Sequence, residues 1–584
     1  MKLMLKYLKR YPKLILLNII GILSFVIVQL GIPTIMAWII DNGIANGDIR
    51  YVKNMGIIML LVSIIGGLGT VLLTFASSRI STYMIRDIRN DVFAHSQKLS
   101  HTEYNKFGVS SMITRTTNDA FQLMIFSNLL FRTALLAPVM IVISVFMTIR
   151  TSIDLSLIIG ASLPFIVVGV IILAKLTGPL SEKQQKGMDQ LNLISRENLT
   201  GVREIRAFRK SEFEADRFSQ TNEEYATNSK KLFKIMSFTQ PGFFLLLNFV
   251  MMAVFWISSL MIDKGTLQIG QLVAFLDYQF HAMLSIMLFS MVFVMYPRAQ
   301  VSANRIQELL DEKSSVKSPK EKIPKEKSVV DTLDKSKGSL EFDNVSFQYP
   351  DGELAVLNNI SFLANKGETV AFIGSTGSGK STLINLIPRF YDVTSGSIKI
   401  DGLDIRDYEL NKLRQKIGFI PQKAFLFKGT IEENIRFGKE DATEEELKHA
   451  IEIAQAKDFI ENKPNKLKEY ISEGAKNISG GQKQRLSIAR ALIRKPEIYI
   501  FDDSFSALDY KTDAALRSAL KEETKESIVF IVAQRISTIM DADKIIVLNE
   551  GDVVGVGTHE ELLKSCNIYY EIAESQLTKE ELGL

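Results

Sequence analysis

The chain reads Gly374-Ser375-Thr376-Gly377-Ser378-Gly379-Lys380-Ser381 between an apolar run at 369–373 and a second run that begins at Thr382. A glycine-rich loop between a strand and a helix is typical of a P-loop. Its backbone N–H groups and the positive start of the helix bind phosphates. Lys380 is expected to reach the terminal phosphates and Ser381 to bind Mg²⁺. The stretch therefore predicts an α/β domain that binds a nucleoside triphosphate.

The composition indicates a membrane protein with a large soluble part. The chain has 584 residues, of which 47% are hydrophobic and 23% charged, and its formal net charge is +4. This net charge is too small to indicate a nucleic-acid partner, and none is expected. The single cysteine, Cys566, excludes an internal disulfide framework and fits a reducing compartment.

The first half contains stretches that are apolar enough to cross a bilayer. Each is long enough for a hydrocarbon core about 30 Å thick. We expect six transmembrane helices, at 14–40, 55–78, 126–149, 154–178, 238–262 and 268–296.

The segments between these stretches predict the orientation in the membrane. Segments 79–125 and 179–237 are long, polar and rich in arginine and lysine, whereas the other connections are short. Positive loops stay on the cytoplasmic side, so both long loops and both termini are expected there. Each long loop is expected to carry a short helix that lies on the soluble domain, with candidates at 104–108 and 209–214.

A change in composition divides the chain into domains. Lysine-rich polar sequence with Pro319 and Pro324 separates the apolar half from a region of alternating strands and helices. We predict a transmembrane domain at 1–312, a linker at 313–337 and a nucleotide-binding domain at 338–584.

Further motifs narrow the function beyond binding a nucleotide. The segment 478–482 reads Ile-Ser-Gly-Gly-Gln, the strand 498–501 ends in Asp502-Asp503, and 506–509 reads Ser-Ala-Leu-Asp. Together with the P-loop, and in this order, they resemble the ATP-binding cassette (ABC) family. The resemblance covers essentially all of 338–584, and the first half looks like the transmembrane part of the exporters in that family. It implies a six-helix membrane domain followed by a cytoplasmic α/β cassette.

The resemblance also implies the roles of individual residues, with ATP and Mg²⁺ as cofactors. Tyr349 would stack on adenine, although a tyrosine that merely covers the core is the alternative. Mg²⁺ would be bound by Ser381, Gln422 and Asp502, directly or through water. The residues expected to bind ATP are Tyr349, Gly374, Ser375, Thr376, Gly377, Ser378, Gly379, Lys380, Ser381, Thr382 and Gln422.

Cassettes of this family meet head to tail, so the segment Ser479, Gly480, Gly481 and Gln482 is expected to complete the ATP site of a partner chain. The start of the following helix would supply hydrogen-bond donors and positive potential to the γ-phosphate. One cassette alone therefore cannot complete a site.

Two catalytic positions depart from the family pattern. Asp503 stands where a glutamate is usual, and Gln534 stands where a histidine is usual. Aspartate withdraws the carboxylate by one methylene, and a displacement on the order of 1 Å can cost about a hundredfold in rate. Glutamine cannot become cationic near neutral pH. We expect this chain's own site to bind ATP and to cleave it slowly.

Because the 479–482 segment is intact, the unequal sites predict a heterodimer with a second, non-identical ABC half-transporter. That partner would bring a competent P-loop site with glutamate and histidine. The alternative is neutral drift in a homodimer that is still active.

Two ionisable residues lie inside the sixth predicted span, at 268–296. Asp277 and His281 are one helical turn apart, and an ionisable residue at that depth is a candidate functional site. The pair could bind substrate, and Asp277 in particular could attract cationic drugs or couple a proton; it could equally be paired with a polar group for structure. Phenylalanines and methionines in the last two spans suit apolar ligands, but they also suit contact with lipid.

The leading function is ATP-driven export of amphipathic compounds or drugs across a bacterial cytoplasmic membrane by alternating access. Export of a lipid or a peptide is the alternative within transport. An ATP-gated regulatory or sensing membrane protein is the alternative from another class. The six spans exclude a soluble cassette ATPase.

Overall fold

The computed structural model of the protein describes residues 1–318 and 338–578. These residues form two compact units. One unit comprises Met1–Ser96 and Ser110–Asp311, and the other comprises Gln97–Val109 and the described residues from Glu312 onward. Of the predicted linker at 313–337, residues 319–337 lie outside the described residues, as do residues 579–584 of the predicted nucleotide-binding domain.

The residues before the predicted linker are almost entirely helical. Three π-helical turns, at Ile39–Ile44, Arg115–Asp119 and Leu130–Ala134, interrupt the α-helices. The helices are α1 (Lys2–Leu8), α2 (Pro12–Trp38), α3 (Ile49–Ser96), α4 (His101–Phe107), α5 (Val109–Thr114), α6 (Ala120–Leu129), α7 (Leu136–Thr151), α8 (Ile153–Thr200), α9 (Val202–Ala207), α10 (Ser211–Ser237), α11 (Thr239–Asp263) and α12 (Ile269–Asp311).

Among the described residues, five helical stretches are long and apolar enough to cross a membrane. They are Pro12–Ile44, Ile49–Ser96, Val109–Thr151, Ser211–Asp263 and Ile269–Asp311. The remaining predicted span, 154–178, lies within the 48-residue helix α8, where the side chains of Leu163, Ile166, Val167, Val170 and Ala174 lie outside the described residues. Among the described residues of α8, Ile153–Ser162 forms an apolar helix that is too short to be a candidate span. The predicted span at 154–178 therefore stays a prediction.

Small residues let α2 and α3 approach each other closely. A Cβ atom added to Gly21 would lie 2.7 Å from the backbone nitrogen of Leu73, and one added to Gly66 would overlap the side chain of Val28. In lipid, helices associate through such close packing because their apolar surfaces gain little by leaving the bilayer.

The short helices in the long polar segments match the prediction only in part. The candidate 104–108 overlaps α4, as expected. The candidate 209–214 is wrong, because Arg209 has a φ of +55° and separates α9 from α10, which begins at Ser211. The short helix of that segment is α9. It follows Gly201, which ends α8.

The second unit alternates strands with helices, as predicted. The strands are β1 (Ser339–Phe347), β2 (Leu357–Asn365), β3 (Thr369–Gly374), β4 (Ser395–Ile400), β5 (Leu403–Asp404), β6 (Ile417–Ile420), β7 (Gly429–Thr430), β8 (Tyr470–Ile471), β9 (Ile498–Asp502), β10 (Ile528–Val532), β11 (Lys544–Asn549) and β12 (Asp552–Gly557). The helices are α13 (Lys380–Leu386), α14 (Leu410–Gln415), α15 (Ile431–Arg436), α16 (Glu444–Ile453), α17 (Lys457–Glu461), α18 (Gly480–Leu492), α19 (Tyr510–Glu523), α20 (Ile536–Ile539), α21 (His559–Ser565) and α22 (Asn567–Glu574).

The strands form a large sheet and two smaller ones. The large sheet has the order β12-β11-β3-β10-β9-β6, and its strands from β11 to β6 run parallel. The antiparallel sheet β2-β1-β4-β5 shares a core with one face of the large sheet. Parallel strands place their carboxyl ends at one edge, so the residues that follow β3, β9 and β10 meet there.

Candidate nucleotide-binding site

The P-loop follows β3 and turns into α13 at Lys380. Gly377 and Gly379 have φ values of +88° and +97°, in the left-handed region that glycine adopts without strain. A Cβ atom on Gly379 would also lie 2.9 Å from the backbone oxygen of Val356. The loop conformation therefore requires glycine at these positions.

The ammonium group of Lys380 lies inside the P-loop. Its Nζ donates hydrogen bonds to the backbone oxygens of Gly374 at 2.9 Å and Ser375 at 2.7 Å. Burial lowers the pKa of Lys380, and the nearby carboxylates of Asp503 and Asp502 oppose that shift. The structure thus places the expected phosphate-binding cation near Asp502, which ends β9, and Asp503, which follows it.

Two of the predicted Mg²⁺ ligands lie together. Ser381 Oγ donates a hydrogen bond to Asp502 Oδ1 at 3.1 Å, across the contact between α13 and the end of β9. Burial raises the pKa of Asp502, while the hydrogen bond from Ser381 lowers it. Mg²⁺ prefers hard oxygen ligands and usually takes only one or two from the protein, with phosphate and water as the rest. This hydroxyl–carboxylate pair fits that requirement.

Asp503 lies between two glutamine side chains. Its Oδ2 accepts a hydrogen bond from Gln422 Nε2 at 3.1 Å and another from Gln534 Nε2 at 3.1 Å. Its backbone N donates to the oxygen of Val532 at 2.9 Å, and its φ of +44° lies in the left-handed region. The structure therefore brings Asp503 and Gln534, the two positions predicted to be catalytic, into direct contact.

Most of the predicted nucleotide-binding residues line a cavity of about 250 Å³. Val356 and Val532 also line it, and no sequence signal points to either, since each is an ordinary apolar residue next to a strand end. The lining residues are Val356, Thr376, Gly377, Gly379, Lys380, Ser381, Thr382, Gln422, Asp502, Asp503, Val532 and Gln534.

Tyr349 is half-buried just after β1. Its hydroxyl shares a hydrogen bond of 3.0 Å with Thr382 Oγ1 on the P-loop helix. Its ring lies edge-on to Tyr391, with the ring centroids 5.3 Å apart, and also contacts Phe347. Tyr349 therefore covers part of the core and also reaches the P-loop helix, so adenine stacking stays a prediction.

The segment 479–482 begins helix α18. Ser479 Oγ accepts a hydrogen bond from the backbone N of Gln482 at 3.3 Å, and Gln482 Oε1 accepts one from the backbone N of Ser479 at 3.2 Å. This capping box fixes the helix start and leaves Gly480 with open space around its Cα. No residue of this segment is among the described residues that line the P-loop cavity.

The predicted substrate pair lies on α12. Asp277 is exposed and His281 is partly buried, and their i, i+4 spacing puts both on one face of the helix. The ring of His281 contacts that of Phe280, with centroids 5.7 Å apart.

Comparison with known proteins decides the family. Residues 15–287 match the family described as "ABC transporter transmembrane region", and residues 357–506 match the one described as "ABC transporter". The chain is 36% identical over 578 residues to "Uncharacterized ABC transporter ATP-binding protein YfiB" of Bacillus subtilis, covering 99% of this chain and 98% of the relative. The chain belongs to the ABC transporter family.

Other relatives of this ABC transporter carry more specific names. It is 32% identical over 577 residues to "Putative multidrug export ATP-binding/permease protein YgaD" of Bacillus subtilis, covering 96% of this chain and 97% of the relative. It is 28% identical over 572 residues to "ATP-dependent lipid A-core flippase" of Vibrio parahaemolyticus, covering 98% and 97%. The ABC transporter is thus a transport ATPase with a helical membrane domain followed by an α/β ATPase domain.

Proposed function

We propose that the chain is one half of a heterodimeric exporter in which its own P-loop site binds ATP and hydrolyses it slowly. The observation that carries this proposal is the double hydrogen bond to Asp503 Oδ2. A general base needs an acceptor oxygen within about 2.6–3.2 Å of the attacking water. Here that oxygen already accepts hydrogen bonds from Gln422 and Gln534.

The chemistry of the two side chains supports the same conclusion. Asp503 has a shorter reach than glutamate, so a water at the family's attack position lies farther from its carboxylate. The Gln534 amide donates a hydrogen bond but cannot carry the positive charge that would stabilise developing charge on the γ-phosphate. Lys380 and the Ser381–Asp502 pair would hold the triphosphate and its Mg²⁺, and the metal would neutralise charge on the phosphates. Binding is therefore retained while water activation is weak.

The intact Ser479–Gln482 segment supports a second site of a different kind. Its capping box is complete, so the start of α18 is fixed with backbone N–H groups that would face a phosphate of the partner's ATP. We propose that it completes a competent site on a non-identical half-transporter that carries glutamate and histidine at the matching positions.

Native purification tests the proposed partner. The chain is isolated from its source membranes with a C-terminal tag, and the co-purifying chain is identified by mass spectrometry. We expect a second ABC half-transporter, and the ATPase rate of the pair should exceed that of the isolated chain by about a hundredfold. Twofold-symmetric particles of one chain, with rapid ATP hydrolysis abolished by Asp503→Ala, would contradict the proposal.

We further propose that the exported substrates are amphipathic compounds or drugs. The relative named for multidrug export supports this choice, and the relative named as a lipid A-core flippase makes a lipid the second candidate. Inside-out vesicles that contain the pair separate the two. ATP-driven uptake of an amphipathic dye supports drug export, and movement of a labelled lipid between leaflets without dye uptake supports lipid export. Nucleotide-dependent conformational change without either would favour a regulatory protein.

The proposed location is a bacterial cytoplasmic membrane with both termini in the cytoplasm. The arginine and lysine residues of the two long polar segments support this orientation. A C-terminal tag should be digested in inside-out vesicles and protected in intact cells; the reverse pattern would contradict it.

Helix α4 is the proposed element through which ATP binding reaches the membrane domain. It belongs to the same compact unit as the ATPase domain. Glu103 Oε1 accepts a hydrogen bond from the backbone N of Ser315 at 3.1 Å, and the His101 ring lies edge-on to Phe390 at 5.0 Å. Tyr391 contacts both His101 and Tyr349, so ring contacts join α4 to the proposed adenine site.

A further inference from the structure

The turn that follows α22 contacts the loop that carries Gln534. Gln576 donates a hydrogen bond from Nε2 to the backbone oxygen of Gln534 at 2.9 Å. Its Oε1 accepts a hydrogen bond from the backbone N of Ile536 at 2.9 Å. One side-chain amide thus pairs with the loop backbone on both sides of Arg535, as a neighbouring β-strand would.

The position of Gln576 is fixed by the core beneath it. Tyr569 and Ala573 on α22 are fully buried, and the backbone N of Gln576 donates to the oxygen of Ala573 at 3.0 Å. Ile536, on the other side of the contact, is also fully buried. The amide therefore joins two anchored segments, and the short stretch between Val532 and Ile536 has little freedom to move.

This stretch carries the side chain that contacts Asp503. A cavity of about 600 Å³ is lined by Asp503, Gln534 and Gln576 together. Asp503 and Gln534 also line the P-loop cavity, so they form a shared wall between the two cavities. A shift in the loop backbone would move the Gln534 amide relative to both the carboxylate and the nucleotide.

We infer that Gln576 is a positioning residue for the nucleotide site. It holds the backbone from Gln534 to Ile536 so that Gln534 faces Asp503 and the γ-phosphate, and it thereby slows the release of ATP from this chain. The inferred effect on ATP release rests on the proposed function. The inferred restraint of the loop backbone rests only on the two hydrogen bonds of Gln576.

The test uses the full-length chain in nanodiscs and the fluorescent analogue mant-ATP. Gln576→Ala should release mant-ATP roughly three- to tenfold faster than the wild type, as expected for losing two exposed hydrogen bonds. Hydrogen exchange of the peptide that contains Ile536 should rise in the same variant. Glu574→Ala is the matched control, because Glu574 is the exposed last residue of α22, two positions before Gln576, and takes no part in the two bonds.

The variant Gln576→Glu separates positioning from a purely structural role. Its carboxylate keeps the acceptor for Ile536 but loses the donor to Gln534, and protonation restores an O–H donor. The excess release rate over wild type should therefore shrink between about pH 6.5 and about pH 4.3, because an ordinary glutamate carboxyl is half protonated near the lower value. If Gln576 had a purely structural role, the excess release rate of Gln576→Glu would not depend on pH.

Two results would overturn the inference. One is wild-type release and exchange in Gln576→Ala, and the other is an excess rate in Gln576→Glu that does not change with pH. Neither result bears on whether the partner is a different chain. Conversely, a symmetric active homodimer would overturn the proposed function, and the exchange of the Ile536 peptide would still decide whether Gln576 holds the loop.

Discussion

Gln534 donates a hydrogen bond from Nε2 to Oδ2 of Asp503 at 3.1 Å, so the two positions that we predict to be catalytic are direct partners. Asp503 tolerates its φ of +44° better than most residues would, because aspartate is among the few non-glycine residues that adopt the left-handed region. The pair therefore behaves as a unit, in which a short, fixed carboxylate is matched to a neutral amide.

Placing the residues that are usual in the family at positions 503 and 534 should raise the rate of ATP hydrolysis. In nanodiscs that hold two copies of the chain, each copy supplies an intact Ser479–Gln482 segment to the other. Asp503→Glu combined with Gln534→His extends the carboxylate and adds a group that can become cationic, so turnover should rise by about tenfold to a hundredfold. Phosphate release at saturating ATP measures the change.

The control for this reversal is Asp503→Asn, which has the same size as aspartate but cannot act as a base. Its rate of phosphate release should not exceed that of the wild type. An isolated wild-type chain that already turns over as fast as the double variant would show that the site is competent as it stands.

Much of this site follows from local sequence, and the rest depends on long-range contacts. The P-loop lies between β3 and α13 as predicted, because its glycines and flanking apolar runs are contiguous. The contact of Gln576 with Gln534 joins residues 42 positions apart and has no local signal. The prediction of a short helix at 209–214 overlooks Gly201 at the end of α8, which is the type of residue that ends a helix. Only the side-chain geometry places Gln422 and Gln534 on the same oxygen of Asp503.

Ser479→Ala should separate the two proposed sites. Loss of the cap costs about 1 kcal/mol at the start of α18, and it removes a hydroxyl that we expect to face the partner's ATP. ATP hydrolysis by the pair should fall on the order of a hundredfold, while mant-ATP binding to this chain stays unchanged.

A matched cap exists elsewhere in the same domain. Thr443 forms the same kind of capping box at the start of α16, where its Oγ1 accepts from the backbone N of Glu446 at 3.2 Å. Thr443→Ala should cost a similar amount of stability and leave hydrolysis by the pair intact. If both variants lost the same activity, the effect of Ser479→Ala would be explained by lower helix stability alone.

The contact of α4 with the ATPase domain should weaken in acid. Burial lowers the pKa of His101 below its ordinary value of 6.5, and the nearby Arg414 guanidinium lowers it further. Since the unfolded state then binds more protons than the folded state, this contribution to stability is complete above pH 6.5 and is lost as the pH falls through the lowered pKa.

His101→Phe keeps an aromatic ring against Phe390 and removes the titration. Thermal unfolding midpoints at about pH 7.5 and about pH 5.5 should differ more in the wild type than in this variant. The same pH dependence in both proteins would assign it to other groups.

Asp277→Asn tests whether the charge on α12 selects the substrate. A carboxylate in a low-dielectric environment attracts a cation far more strongly than in water, and the amide has almost the same size without the charge. Uptake of a cationic dye by vesicles with the pair should fall by about fivefold or more, while uptake of a neutral amphipathic dye should not change. Asp263→Asn, at the end of α11, removes the same charge from a helix end and should leave both rates unchanged. Cationic uptake that persists in Asp277→Asn would assign this residue a structural role or none in transport.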